Sequence, residues 1–526
     1  MKKSFLAYLA VAFLGCGGGA QEKDVLCLAL EVSPNKLDPA YVVDVAEGEV
    51  ASLIFQGLVR FSPDGEVIPD LASSWEISDD GKRYVFHLDR RMRFSTGRRV
   101  GASDVAFSFK RLLSPDCRSP RKWVLERIKG ADAFSEGMAP EIEGLAVLDD
   151  STVSIELEGP FRPFLQLLAM PAARIVPEEL FVDTKAHSGA PAALVSNFSE
   201  KPVGSGPWVL DSWERGDHLM LVPNPFHPAG SQTLRAIRYR IIPEAFTRIA
   251  EYESGSLDVL KIPSAELPRF LGNPSLSRRI QSVPELRVLY VGLNNTRKPL
   301  DDPCVRKALN MAVDVERIIE VLANGEAVRA AGAIPPSLKG YRKRPAYSYD
   351  PGASRKLLLE AGLGDGMELD IWQRDSPEGN RILEAIQGYL SEVGIQVRLV
   401  KREWSAFKEA VSKGKVDAFF LDWYADYPDA ENFLYPLFHS ENTGGGGNRS
   451  FFSSAEIDSL IELAHRTLGE NECYNLYAKI DSLVYEEAPW IYLYFPKSFE
   501  VVSLGITGYR IPFLYLARQY EGVRKS

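Results

Sequence analysis

The sequence predicts an α/β protein built in two or three lobes, and three observations predict it. The chain has 526 residues, more than a single ordinary core accommodates. Its 45% hydrophobic and 25% charged residues give the balance of a soluble globular protein. In the second half, helical and strand patterns alternate, as they do in α/β lobes.

The N-terminus carries its own signal. Lys2 and Lys3 precede a short apolar run, Phe5 to Leu14, that ends at Leu14-Gly15-Cys16 and is followed by Gly17-Gly18-Gly19. The run is too short to span a bilayer and reads as a signal peptide over residues 1–15. A small residue before a cysteine here resembles a bacterial lipobox, which implies cleavage before Cys16 and lipidation of that residue. Phe13 stands where such boxes usually carry leucine. No later stretch is apolar enough to span a membrane, so the mature chain is expected to be soluble apart from its anchor.

Further along, Trp75 and Ile77 share one face of a strand. Asp79-Asp80-Gly81 turns the chain, and Tyr84, Phe86 and Leu88 alternate on a partner strand. Ser103 is placed to cap a helix that turns Val105, Phe109 and Leu112 inward. Asp302 before Pro303 marks a helix start, and Val305, Ala308, Leu309, Ala312 and Val313 form its apolar stripe. Arg381 to Val393 reads as an amphipathic helix burying Ile382, Ala385, Ile386 and Leu390, with a strand from Ile395 to Leu399 behind it. Gly444 to Gly447 reads as a surface loop.

Several function classes are disfavoured. The formal net charge of −10 lacks the basic stripe that phosphate recognition needs, so no nucleic acid is expected. No H-E-x-x-H, G-x-S-x-G, phosphate-cradling or dinucleotide glycine motif occurs. The six histidines are dispersed, with no metal-ligand spacing. Asp79/Asp80, Asp149/Asp150 and Asp301/Asp302 sit at turns or helix starts, where aspartate serves the backbone. Cys27, Cys117, Cys304 and Cys473 form no C-x-x-C pair. Neither a cofactor nor a metal is expected, and an enzyme is disfavoured.

A resemblance then enters. Leu71-Ala72-Ser73-Ser74-Trp75, Asp80-Gly81, Tyr84 to Leu88, Phe94-Ser95, and Ala102-Ser103-Asp104-Val105 with Ser108 and Arg111 resemble the signature of the oligopeptide/dipeptide/nickel-binding family of extracellular solute-binding proteins. Pro202 to Trp208 with Trp213 and Asn224-Pro225 is similar to that family's return segment. Asn294, Asp302, Val305 to Leu309 and Ala312-Val313-Asp314 resemble its second-lobe opening. Trp423, Ala425-Asp426-Tyr427 and Ala488-Pro489-Trp490 fall at its late positions.

The resemblance implies a two-lobed periplasmic-binding-protein fold, hinged in the Venus-flytrap manner, with an additional α+β domain inserted in the first lobe. Mapped onto this chain, residues 16–23 form a lipid-anchored linker. Lobe I takes residues 24–56, 197–287 and 495–526, the extra domain 57–196, and lobe II 288–494. It implies capture of a peptide between the lobes and delivery to the permease subunits of an ABC importer. The protein would be a monomer in the bacterial periplasm, held at the membrane by its lipid.

The implied ligand residues are Val43-Asp44-Val45, where oligopeptide binders pair one ligand edge, and Trp423-Tyr424-Ala425, where they pair the other. Trp404 and Trp423 match aromatics that wall side-chain pockets, and Asp426 matches the carboxylate that takes the ligand's α-amino group. A glutamate and an arginine of some oligopeptide binders fall on Val43 and Phe420, which weakens the reading of a short peptide's carboxylate. The alternatives are the same fold holding a nickel chelate, haem, a sugar or a murein fragment, or a surface adhesin or signalling lipoprotein.

Overall fold

The computed structural model describes residues 24–181, 198–228 and 233–526. The signal peptide and Cys16 lie outside these residues. The chain opens with β1 (Val25–Leu30) and α1 (Val45–Ile54). It then builds β2 (Ala72–Ile77), β3 (Arg83–Leu88), α2 (Ala102–Leu113), β4 (Leu145–Asp149) and β5 (Thr152–Glu156). It returns through β6 (Trp208–Glu214), β7 (His218–Pro223), β8 (Ala236–Ile241), β9 (Val259–Lys261) and β10 (Ile280–Pro284). The second lobe follows with β11 (Arg287–Leu293), α3 (Pro303–Ala312), β12 (Ala327–Arg329), β13 (Met367–Arg374) and α4 (Pro377–Glu392). It continues through β14 (Ile395–Arg402), α5 (Trp404–Ser412), β15 (Ala418–Tyr424) and the long β16 (Trp490–Val502).

These strands make three main sheets. One runs β1-β8-β7-β6, and an antiparallel one runs β2-β3-β5-β4. The third runs β9-β16-β11-β15-β13-β14, with β10 and β12 also on β16. The second sheet is inserted between α1 and β6, so the first lobe is discontinuous in sequence. β16 changes partners along its length. Trp490 to Tyr494 pair with β11, while Lys497 to Val502 pair with β10 and β9. The β10–β11 junction runs beside it, with the Glu285 N–H donating to Pro496 O at 3.0 Å. Two adjacent strands therefore link the lobes, a geometry that favours hinge motion over independent rotation.

Most sequence-predicted elements form, for the reasons that predicted them. Tyr84, Phe86 and Leu88 are buried, as are Val105, Phe109 and Leu112 and all five stripe residues of α3. Asp302 caps α3 by accepting from the Cys304 N–H at 2.8 Å. Three details differ. The N-cap of α2 is Gly101, and Asp104 reaches back to its N–H at 2.9 Å; Ser103 lies inside the first turn. Ile77 is exposed while Trp75 packs against the core. α4 begins at Pro377, because Ser376 caps it through the Gly379 N–H at 3.1 Å, and its polar first turn hides that start from hydrophobic periodicity. The glycine run forms a tight turn, with Gly444 and Gly447 at φ of 79° and 134°.

The inserted domain is clamped at its base by a buried ion pair. Asp70 accepts from Arg174 at 2.9 Å, from the Gln56 amide at 2.6 Å and from the Gly57 N–H at 3.1 Å. Gln56 and Gly57 lie where the chain enters the insertion and Arg174 lies towards its far end, so one carboxylate ties the two together. Close approach also fixes Gly204, where a Cβ would lie 2.0 Å from Ile54 O. That accounts for a glycine in the Pro202–Trp208 segment.

Candidate ligand-binding cleft

The order of strands in the second lobe creates a crevice. The chain runs β13, α4, β14, α5, β15, but β15 lies on the opposite side of β13 from β14. α4 packs into one core through Ile382, Ile386 and Leu390, and α5 packs into another through Phe407 and Val411. The strand order reverses between β13 and β15, and ligands of open α/β sheets bind outside the carboxyl ends of strands at such a point. β13 and β15 pair only at Ile371–Ala418 and Trp372–Phe419. Beyond Phe419, the edge of β15 that faces β13 has no strand partner among the described residues. Arg374, Trp404, Tyr424 and Asp426 all lie at these carboxyl ends.

Strand alternation separates two of the predicted residues. Tyr424 and Asp422 share a face with their cross-strand partners Arg287 and Leu289. Trp423 points the other way into the core, and its indole N–H donates to Asn432 Oδ1 at 3.2 Å. The Ala425 N–H is taken by Leu286 O at 2.9 Å, so Ala425 continues the pairing with β11. Trp404 starts α5, 41% exposed. It stacks on Phe407, and the Arg374 guanidinium lies 5.5 Å from its ring centre. Among the described residues Arg374 has no hydrogen-bond or ion-pair partner.

On the opposite wall the strand reading of Val43-Asp44-Val45 needs correction. Pro39–Tyr41 upstream is a 3-10 turn, and Asp44 is the extended N-cap of α1 with Val45 its first helical residue. The cause is Glu47. Its buried carboxylate collects the N–H groups of Asn35 and Lys36 on one oxygen and of Val43 and Asp44 on the other, at 3.1–3.4 Å. A glutamate at the third helical position in this role nucleates a helix.

Asp426 sits where the two walls meet. Its Oδ1 accepts from Arg121 at 3.2 Å, and its N–H donates to Asn432 Oδ1 at 3.0 Å. Burial pushes its carboxyl above the ordinary aspartate range, and Arg121 offsets this only in part. Arg121 engages only Oδ1, and among the described residues Oδ2 has no hydrogen-bond partner. Tyr515 completes the wall, its ring 5.9 Å from that of Tyr424. Sequence reasoning missed Arg121, Arg374 and Tyr515. Each comes from a different part of the chain, and no local pattern marks any of them.

The linking strands carry a line of charges. Lys261 and Arg287 lie 3.0 and 3.5 Å from Glu285, and Arg287 donates to Asp422 at 2.7 Å. Burial opposes the ionisation of Glu285, but Lys261 and Arg287 outweigh it and hold its carboxyl below the ordinary range. A carboxyl with a depressed folded value contributes stability above its unfolded pKa of about 4.3, and that stability is lost as pH falls. Glu285→Gln is therefore expected to lower the urea midpoint clearly at pH 7 and progressively less as pH falls below about 4. A wild-type-to-variant difference that stays constant over that range would count against this assignment.

Comparison with known proteins agrees with the architecture. Residues 66–445 match the family described as bacterial extracellular solute-binding proteins, family 5, middle region, and the chain belongs to that family. It is 31% identical over 501 residues to heme-binding protein A of Haemophilus influenzae, covering 92% of this chain and 89% of that one. It is 30% identical to the dipeptide-binding protein of Escherichia coli, covering 97% and 96%. Among solved structures it is similar to the ABC transporter-associated periplasmic binding protein DppA from Helicobacter pylori in complex with the peptide STSA. That likeness has a TM-score of 0.80 and 28% identity, covering 95% of this chain and 98% of that one. The two-lobed fold with its inserted domain is thus the family fold, and the chain is a solute-binding protein. No helix among the described residues is long and apolar enough to cross a membrane.

Proposed function

We propose that this chain captures peptides with a free α-amino group between its two lobes and hands them to the permease of an ABC importer, without chemical turnover. The observation that carries the reading is the free edge of β15 ending at Asp426. An unpaired strand edge offers main-chain hydrogen bonds to any peptide whatever its sequence, and the Asp426 carboxylate just past its end keeps one oxygen open to an ammonium. Trp404 lines the crevice, and Arg374, which lies over its ring and also faces the Asp422 charge, is a candidate for the ligand's carboxylate. The lobes divide at 24–56, 197–287 and 495–526 against 288–494, with 57–196 as the insertion; the change of partners along β16 supports this division. The protein works as a monomer in the periplasm.

Calorimetric titration of cargo-stripped protein with a panel of free-amine dipeptides and tripeptides tests the reading. Saturable binding of at least some of them, with no hydrolysis of any, is expected. Binding of none, or reproducible cleavage, would contradict it.

The anchoring belongs to the same proposal. Cys16 is lipidated after removal of residues 1–15, and residues 16–23 tether the lobes to the membrane. Cys16→Ala is expected to release the protein into the soluble fraction or to leave it unprocessed. A variant that partitions into detergent like the wild type would remove the anchor from the account.

A further inference from the structure

The segment Cys117–Arg121 lies along the stretch that precedes α1, a 3-10 turn over Pro39–Tyr41 followed by extended Val42. Tyr41 Oη donates to Cys117 O at 2.7 Å, and Ser119 Oγ donates to Ala40 O at 2.6 Å. Arg121 completes the seam, donating to Val42 O at 3.3 Å and to Val43 O at 3.1 Å while its third nitrogen holds Asp426. On the other side, the Val43 and Asp44 N–H groups are taken by Glu47. Both main-chain polar groups of Val43 are thus bonded within the protein. The wall opposite β15 has its hydrogen-bonding edge occupied by the chain itself.

We infer that Arg121 is a specificity-determining residue that restricts the cleft to short peptides, by capping the one wall along which a longer peptide would continue its pairing. This rests on the peptide reading above. A dipeptide or tripeptide is held by its amine at Asp426 and by the β15 edge alone. A longer peptide has to leave that edge, and the capped wall returns no main-chain bond for the desolvated groups it brings. A single Arg fork serves two carbonyls and a carboxylate at once; a lysine ammonium has one head and cannot hold that fan of acceptors.

The experiment measures the affinities of dialanine, trialanine and pentaalanine for the full mature chain and for Arg121→Lys and Arg121→Met. The ratio between lengths is the readout, because any change at Asp426 affects all three amines alike and cancels. Wild type is expected to bind the best of the two short peptides at least tenfold tighter than pentaalanine. Both variants are expected to narrow that ratio about tenfold, as one regained backbone bond allows. Arg121→Lys keeps the charge beside Asp426 and guards against loss of the fold. Equal wild-type affinity for all three lengths, or variants that keep the wild-type ratio, would overturn the assignment of Arg121 while leaving peptide capture standing. Binding of none of the three would overturn the peptide reading itself.

Discussion

Asp426→Asn is expected to weaken binding of a free-amine dipeptide by about 2–5 kcal/mol, the usual cost of removing one partner from a buried charge pair. The substitution keeps the shape of the side chain and removes its charge. The expected loss is large because an ammonium taken from water into the cleft otherwise stands unpaired. Arg121 does not saturate the carboxylate, since it engages Oδ1 alone and leaves Oδ2 without a hydrogen-bond partner among the described residues. In the proposed complex the ligand's amine takes that open oxygen. Acetylating the dipeptide is expected to cost wild type a similar amount and to cost Asp426→Asn little more, since the partner is already gone. A ligand at about 100 times its dissociation constant adds roughly 2.7 kcal/mol to the unfolding free energy, so melting shifts read all four combinations. Equal binding of free and acetylated dipeptide by wild type would take Asp426 out of this role.

The largest expected effect on stability comes from Asp70→Ala. Asp70 and Arg174 form an ion pair whose side chains are only 4% and 2% exposed. The variant leaves the guanidinium buried without its partner and also strips the Gln56 amide and the Gly57 N–H of their acceptor. Breaking such a pair from one side costs about 3–5 kcal/mol. Because the pair ties the entry of the inserted domain to its far end, the loss is expected in the transition of that domain, read as a lower urea midpoint by circular dichroism. A midpoint within experimental scatter of wild type would mean that water enters and solvates Arg174 at little cost.

The parts of this molecule that were legible in its sequence are those that repeat a local physical rule. The stripe of α3 and the alternation of β3 each need only a few neighbouring residues, and both formed as read. Asp302 before Pro303 marks its helix start because a cap and its helix are adjacent. The misreadings share a cause in longer range. The resemblance places a strand at Val43-Asp44-Val45, but Glu47 draws the Val43 and Asp44 N–H groups into a helix start. Trp423 and Tyr424 are neighbours in sequence, but strand alternation sends their side chains to opposite faces. Arg121 meets Asp426 across 305 residues of chain, and neither periodicity nor spacing reports such a meeting. The crevice itself comes from strand order, which only the assembled sheet reveals.

The account's central claim is that a peptide is captured by closure of the two lobes about the paired strands β10–β11 and β16. Small-angle scattering of cargo-stripped protein, with and without a saturating free-amine dipeptide, measures this directly. The account predicts a smaller radius of gyration with the dipeptide than without it, and no such decrease for Asp426→Asn at the same ligand concentration. An identical radius for wild type in both conditions, at a concentration where calorimetry shows the site filled, would contradict it.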